Sequence, residues 1–309
     1  MREISYTILD LMEEYGADEE GIRKILEQDD RPEVLLALSP IRENLVEWIQ
    51  IQSKDRVLEI GSGAGAVTGA LARKAKEVLV LDPLLETLEV DKRRHGALGN
   101  IRYQCGDLAG LEREMKTEER TFDWVFLLSP KAEERDDGGA ERDNTVTAGT
   151  LEDRDKMDGR GGRGEGGQSM PLGRRLIERA AAMTAEGGHL VLALPNPQAL
   201  KLLAGANADP KELSMSLQEL QELFAGLGGQ ASFYYPLPDH KLPTAVYSDR
   251  YLPAKGEVPS LFAEYERPRY RLFSEEAVID RLSAAGSFPA FANSYLVIWR
   301  KGHGANTIC

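Results

Sequence analysis

The sequence predicts a doubly wound α/β fold: a mostly parallel seven-stranded sheet with helices on both faces, preceded by N-terminal helices and carrying an inserted cap before its last strand. Three observations predict it. From position 56 short apolar strands alternate with helical stretches; the first strand runs into three alternate glycines, Gly61, Gly63 and Gly65; and segments 57–60, 78–81, 101–105, 124–128, 190–194, 231–235 and 294–299 supply seven strands. Alternation of this kind needs crossover helices, which cover both faces of a parallel sheet. Such crossovers are right-handed, and ligands sit at the carboxyl ends of the strands, where the strand order reverses.

Residues 1–50 read as a helical region. Ile4, Ile8, Leu9, Leu11 and Met12 recur at helical spacing, as do Ile22, Ile25 and Leu26, before Asp29-Asp30-Arg31-Pro32 breaks the pattern. A further helix is expected from Ser39-Pro40, with Ser as cap, Pro at the first helical position and Ile41, Leu45, Trp48 and Ile49 on one face.

The α/β domain takes 51–300, leaving 301–309 as a tail. Within it, 131–170 is dominated by glycines, acids and bases, with too little apolar surface to offset its ordering entropy. It reads as a disordered loop after the fourth strand, either an inert insertion or a lid over substrate. A helical stretch is expected around 210–227. Segment 236–292, rich in proline and aromatics, reads as an inserted substrate cap in which 274–285 can form a helix.

Composition excludes several functions. The 309 residues carry 51 acids against 38 bases, a net charge of -13, which repels phosphate backbones and anionic lipid surfaces, so nucleic acid is a disfavoured partner. No apolar run approaches the roughly 18 residues a membrane span needs, and the start Met-Arg-Glu-Ile-Ser lacks the regions of a signal peptide. Membrane insertion is therefore not expected, and a cytoplasmic location is. Two cysteines and four scattered histidines suit neither a disulfide scaffold nor a metal site.

The run Val57-Leu58-Glu59-Ile60-Gly61-Ser62-Gly63-Ala64-Gly65 is an apolar strand with an acid near its end, leading into glycines that let the chain turn sharply and let a ligand approach the backbone. Alone it also satisfies a dinucleotide fingerprint. Asp82, directly after the second strand, suits a ribose of either cofactor. Gly106-Asp107 follows the third strand, Phe122-Asp123-Trp124-Val125 opens the fourth, Ser129 closes it, and Glu186-Gly187-Gly188-His189-Leu190-Val191-Leu192 leads into the fifth.

In that order these features resemble the motifs of class I S-adenosyl-L-methionine methyltransferases, with their Rossmann-like sheet ending in a reversed hairpin. The resemblance implies cofactor contacts from Glu59, Gly61, Ser62, Gly63 and Gly65 around the methionine part, from Asp82 and Pro83 at the ribose, from Gly106, Asp107 and Leu108 at the adenine, and from Ser129 beside the methyl group. Two residues keep a second reading: Asp107 as a helix cap and Ser129 as an ordinary strand end. Further segments, Leu38-Ser39-Pro40-Ile41-Arg42-Glu43-Asn44-Leu45, Tyr234-Tyr235-Pro236-Leu237-Pro238-Asp239-His240-Lys241-Leu242-Pro243-Thr244 and Asn293-Ser294-Tyr295, are similar to a group of bacterial methyltransferases encoded among surface-glycan glycosyltransferases. That resemblance implies a role in glycan biosynthesis and departs from the group over 131–170.

Methyl transfer asks a protein mainly to align donor and nucleophile, and a hydroxyl acceptor benefits from a base. The expected acceptor is a hydroxyl on a small molecule or saccharide. Candidate catalytic residues are His240, flanked by Asp239, and Tyr247. His240 is read either as a base or as a histidine in a polar turn; Tyr234, Tyr235 and Tyr247 either stack on a sugar or fill the cap's core. Leu128-Ser129-Pro130-Lys131 lacks the acid or Asn, prolines and aromatic of enzymes that methylate DNA amino groups. Competing readings are a nicotinamide-dependent oxidoreductase and a binding protein without turnover.

Overall fold

A computed structural model describes residues 2–118, 121–131, 166–258 and 269–302. At the N-terminus, α1 (Arg2–Tyr15), α2 (Glu19–Gln28) and α3 (Pro32–Leu38) pack Ile8, Met12, Ile25, Val34 and Leu38 into one small core that also holds Ala64 and Val90. Pro32 starts α3 at a position where its missing N–H is harmless, so the break at 29–32 is a boundary between helices. Ser39 caps the next turn through the Ile41 N–H (3.3 Å), but that turn is a six-residue 3-10 helix, Pro40–Leu45, rather than a longer α-helix. Three residues per turn put Ile41 and Leu45 on different sides: Leu45 is buried, whereas Ile41 and Trp48 are 40% and 38% exposed.

The α/β part runs β1 (Arg56–Ile60), α4 (Thr68–Ala72), β2 (Glu77–Asp82), α5 (Leu85–His95), β3 (Ile101–Cys105), α6 (Leu108–Glu118), β4 (Phe122–Leu128), α7 (Gly166–Ala182), β5 (Thr184–Pro195), α8 (Leu200–Leu203) and α9 (Leu217–Leu227). It closes with β6 (Gln230–Leu237), β7 (Ala245–Ser248), α10 (Glu275–Ala284), α11 (Phe288–Phe291) and β8 (Ser294–Arg300). The sheet order is β3-β2-β1-β4-β5-β8-β6-β7. Strands β1 to β5 pair in parallel, and β8 enters antiparallel between β5 and β6.

Alternate residues of the central strands feed two cores. Leu58, Val125, Leu127, Leu190 and Leu192 face a core closed by Leu111, Ile177, Leu220, Leu223 and Ile279. Val57, Phe126, Val191 and Ala193 face Leu45, Val67, Leu71 and Leu88. Both faces are apolar because both are covered, as a parallel sheet requires.

Several boundaries differ from expectation. The sheet has eight strands, not seven, because residues 245–248 of the supposed cap pair antiparallel with β6 and extend the sheet. Strand β6 continues through Pro236; its pairing with β8 has ended at Tyr234, so no N–H is needed there. Helix α9 starts at Leu217 rather than near 210, where Ser216 and Glu219 form a reciprocal capping box. Ser274 caps α10 as expected, accepting from the Ala277 N–H. Of the expected loop 131–170, residues 132–165 lie outside the described residues and 166–170 belong to α7. No described helix is long and apolar enough to cross a membrane.

Candidate active site

The bend after β1 stands in left-handed backbone at Gly61 (φ 79°), Gly63 (53°), Ala64 (63°) and Gly65 (78°), a region that L side chains enter at a cost. The three glycines serve different ends. A Cβ at Gly61 would meet nothing within 4 Å and one at Gly63 only the Ala66 Cβ at 3.9 Å, so the chain leaves open space in front of the sheet there. A Cβ at Gly65 would strike Asp91 Oδ1 at 2.8 Å and the His95 ring at 3.0 Å. That glycine lets the loop lie directly on α5.

Two residues at the end of α5 hold the bend from beneath. Arg94 Nη1 donates to the Ala64 carbonyl (2.7 Å) and the Ala37 carbonyl (2.8 Å), joining the loop to α3. His95 Nε2 lies 2.9 Å from the Gly65 carbonyl. Burial, then the charge of Arg94, pushes His95 down to about 4, so its ring is neutral and donates from Nε2. The sequence carries no signal for Arg94.

Asp82 closes the bend from the tip of β2. Its Oδ2 accepts from the Ser62 N–H (3.0 Å) and from Ser62 Oγ (3.4 Å), and its Oδ1 from the Leu84 N–H (2.9 Å), which leaves Oδ1 a lone pair for another donor. Burial raises the Asp82 pKa, opposed by the Leu84 and Ser62 hydrogen bonds. The Gly106 N–H donates to the Asp82 carbonyl (3.1 Å), so the tips of β2 and β3 are adjacent, with Pro83 between Asp82 and Leu84. Asp107 Oδ1 accepts from the Gly110 N–H at 2.7 Å, the capping reading of that residue, and Leu108 is buried at the start of α6. Open space bounded by left-handed backbone, with a carboxylate at its edge, fits a nucleoside with a short charged arm.

Glu59 lies elsewhere than a ligand contact would place it. It is buried on the α4 and α5 side, where Thr68 Oγ1 is 2.8 Å from Glu59 Oε2 and 2.8 Å from Asp91 Oδ2. A hydroxyl has one hydrogen to give, so one of the two acids must itself carry a proton and donate to Thr68. The electrostatics agree: burial and the neighbouring Asp91 charge raise Glu59, and burial raises Asp91 to about 7. A shared proton thus lies under the glycine bend.

On the other side of the reversal point, Ser129 ends β4 in left-handed backbone (φ 55°), and its buried Oγ has no hydrogen-bond partner. Its N–H donates to the Ala193 carbonyl (2.8 Å), and the next carbonyl, of Pro130, accepts from the Leu213 N–H (2.9 Å). Glu212 therefore stands beside the end of β4, bridged to Lys131. His240 is 1% exposed, and its Nε2 lies 3.2 Å from Glu212 Oε1. Asp239, its neighbour in sequence, instead accepts from Lys201 Nζ (2.8 Å) and the Lys241 N–H (2.9 Å). Nor does Tyr247 join them, because β6–β7 pairing turns it into the main core, where it stacks on Tyr251 (6.2 Å between centroids, 5° between planes). Tyr235 is likewise core, hydrogen-bonded to Asp249 and edge-on to Tyr295. Glu212 escaped the sequence reading because no local spacing links position 212 to 240.

With this geometry in place, comparison with known proteins decides the class. Residues 57–137 match the model of a family described as a methyltransferase domain. Over those residues the chain carries a methyltransferase domain. The matched stretch starts in β1 and takes in the glycine bend, Asp82, Asp107 and Ser129. Phosphoethanolamine N-methyltransferase 1 of Caenorhabditis elegans is 35% identical over 103 residues, 33% of this chain and 19% of that protein. The protein-L-isoaspartate O-methyltransferase of Dictyoglomus thermophilum is 37% identical over 65 residues, 20% of this chain and 30% of that protein. This chain thus spans about a fifth of the phosphoethanolamine enzyme's length. A methyltransferase structure from Archaeoglobus fulgidus superposes with a TM-score of 0.47 at 11% identity, over 84% of this chain and 93% of that one; the fold assignment rests on the strand order itself. The relatives' names span nitrogen and oxygen acceptors.

Proposed function

We propose that this protein transfers the methyl group of S-adenosylmethionine to a hydroxyl of a small molecule or saccharide. The observation that carries the reading is the bend at 61–65, with open space over Gly61 and Gly63 and the Asp82 carboxylate at its edge. In this reading Gly61, Ser62 and Gly63 present backbone to the methionine arm, Asp82 accepts from the ribose hydroxyls, and the tip of β3 at Gly106 and Asp107 lies along the adenine. The cofactor supplies a methyl carbon whose leaving group is already activated by positive charge. What remains for the chain is alignment, for which effective-molarity arguments allow roughly 7–11 kcal/mol.

A saccharide acceptor, and with it a place in glycan biosynthesis, is supported by a cleft of about 340 Å³ between the 3-10 turn and β6–β7, walled by Trp48 and Tyr234 with Asn44, Thr244 and Ser248 at its polar edge. The rings of Trp48 and Tyr234 lie 4.8 Å apart and tilted, leaving faces on which a sugar can stack. An amine is the second reading, favoured by the phosphoethanolamine enzymes' resemblance over the cofactor region.

Calorimetric titration with S-adenosylmethionine, S-adenosylhomocysteine and NADH tests the cofactor part: binding of the first two is expected, and tight NADH binding with no response to the others overturns it. Transfer of labelled methyl to neutral glycosides rather than to amines tests the acceptor part.

A further inference from the structure

The Glu212–His240 pair is buried, hydrogen-bonded and unexplained by cofactor binding. Glu212 Oε1 meets His240 Nε2 (3.2 Å) and Oε2 meets Lys241 Nζ (3.0 Å). Burial works against the Glu212 charge, but the His240 hydrogen bond and the charges of Lys241 and Lys131 favour it, and a proton arriving on His240 holds the carboxyl lower still. An ionised carboxylate only accepts, so the proton on that side sits on Nε2, and in the neutral ring Nδ1 is a bare lone pair. Among the described residues His240 Nδ1 is buried and has no hydrogen-bond partner. Ser129 Oγ, just after β4 and two residues before the Lys131 that bridges to Glu212, is also buried without one among them. Two orphaned polar atoms near the reversal point are each destabilising unless a third group meets them.

We propose that Glu212 is a positioning residue that fixes His240 as the Nε2–H tautomer, so that Nδ1 takes the proton of an acceptor hydroxyl seated against Ser129 Oγ. The inference rests on the methyl-transfer reading above. As the acceptor oxygen bonds to the methyl carbon, the carbon–sulfur bond breaks with its electron pair left on sulfur. The hydroxyl proton passes to His240 Nδ1. The Glu212 carboxylate balances the imidazolium, Lys241 and Lys131 keep Glu212 ionised, and the proton then leaves to solvent. Asp239, paired to Lys201, takes no part.

If Nδ1 faces the reacting centre, it senses the charge on sulfur, which S-adenosylmethionine carries and S-adenosylhomocysteine lacks. A unit positive charge nearby disfavours the imidazolium and lowers its midpoint, the more so the lower the local dielectric. The test is long-range proton–nitrogen NMR of the ¹⁵N-histidine-labelled full chain in both complexes, with calorimetry confirming saturation. His240 should show the Nε2–H tautomer above its midpoint and titrate lower in the sulfonium complex. His189, stacked on Trp124 at 4.2 Å near the opposite end of β5, should titrate alike in both. In Glu212→Gln, whose amide can donate to Nε2, the Nδ1–H tautomer should become populated while both ligands still bind. Equal His240 midpoints in the two complexes, or an Nδ1–H tautomer in the unaltered protein, overturns the relay and leaves the methyl-transfer reading standing. Failure of either ligand to bind removes both.

Discussion

The two sides of the reversal point are built on different principles. On the β1–β3 side the chain assembles its site from neighbours: Gly61, Ser62, Gly63 and Gly65 follow β1 directly, and Asp82 and Asp107 each close the next strand. On the β4–β6 side the polar residues come from far apart: Glu212 and His240 meet because the turn after β6 folds back, and Ser129 is brought near by the bond of the Leu213 N–H to the Pro130 carbonyl. The first side is built from backbone and a single carboxylate. The second presents side chains that can be exchanged without disturbing the sheet, as suits a domain whose relatives accept on both nitrogen and oxygen. Loops at the carboxyl ends of a rigid sheet are where such variation is tolerated.

Five substitutions would break or sharpen this contrast. Gly65→Ala should have the largest effect, about 2–5 kcal/mol of lost stability by urea unfolding, because left-handed strain and a contact with Asp91 add together. Gly61→Ala, whose Cβ meets nothing, should lose only about 1–2 kcal/mol while weakening S-adenosylhomocysteine binding. Equal stability losses for the two would refute the division between packing and ligand-facing glycines.

Next comes the proton shared under the bend. Asp91 is raised to about 7 from an ordinary 3.8, so the folded state holds a proton the unfolded state releases. Its stabilising contribution is complete below the unfolded value and is lost as pH rises toward about 7, by at most about 4 kcal/mol at about 1.4 kcal/mol per unit. Asp91→Asn should therefore gain on the wild type between pH 4 and 8 in parallel urea titrations; a constant difference would place the proton elsewhere.

Asp82→Ala should weaken S-adenosylhomocysteine binding about 10- to 150-fold, from loss of charge-assisted hydrogen bonds of about 1.5–3 kcal/mol. An unchanged dissociation constant by calorimetry would detach the ribose from β2. The smallest effect is expected at Ser216→Ala, which removes the α9 cap and should cost about 1 kcal/mol of thermal stability without altering ligand affinity.

Periodicity alone revealed the central strands and the N-terminal helices, since a buried parallel strand is continuously apolar and an amphipathic helix repeats at 3.6 residues. It misjudged the turn after Ser39, where a 3-10 helix and an α-helix start from the same cap, and missed β7, a four-residue edge strand whose pairing partner alone makes it a strand. The bend at Gly61 and Gly63 and the place of Asp82 at the tip of β2 were legible because strand ends and loops are local. Glu212 was not legible beside His240, because they lie 28 residues apart and adjacency is all a sequence displays.

By itself, then, the sequence determined the class of sheet and the position of the glycine bend, because glycine spacing and strand hydrophobicity act over a few residues. Only the tertiary structure decided that Glu59 shares a proton with Asp91 beneath that bend, that Tyr247 is core, and that Glu212 meets His240. Those are matters of burial and of contacts between distant segments, which exist only once the layers have packed.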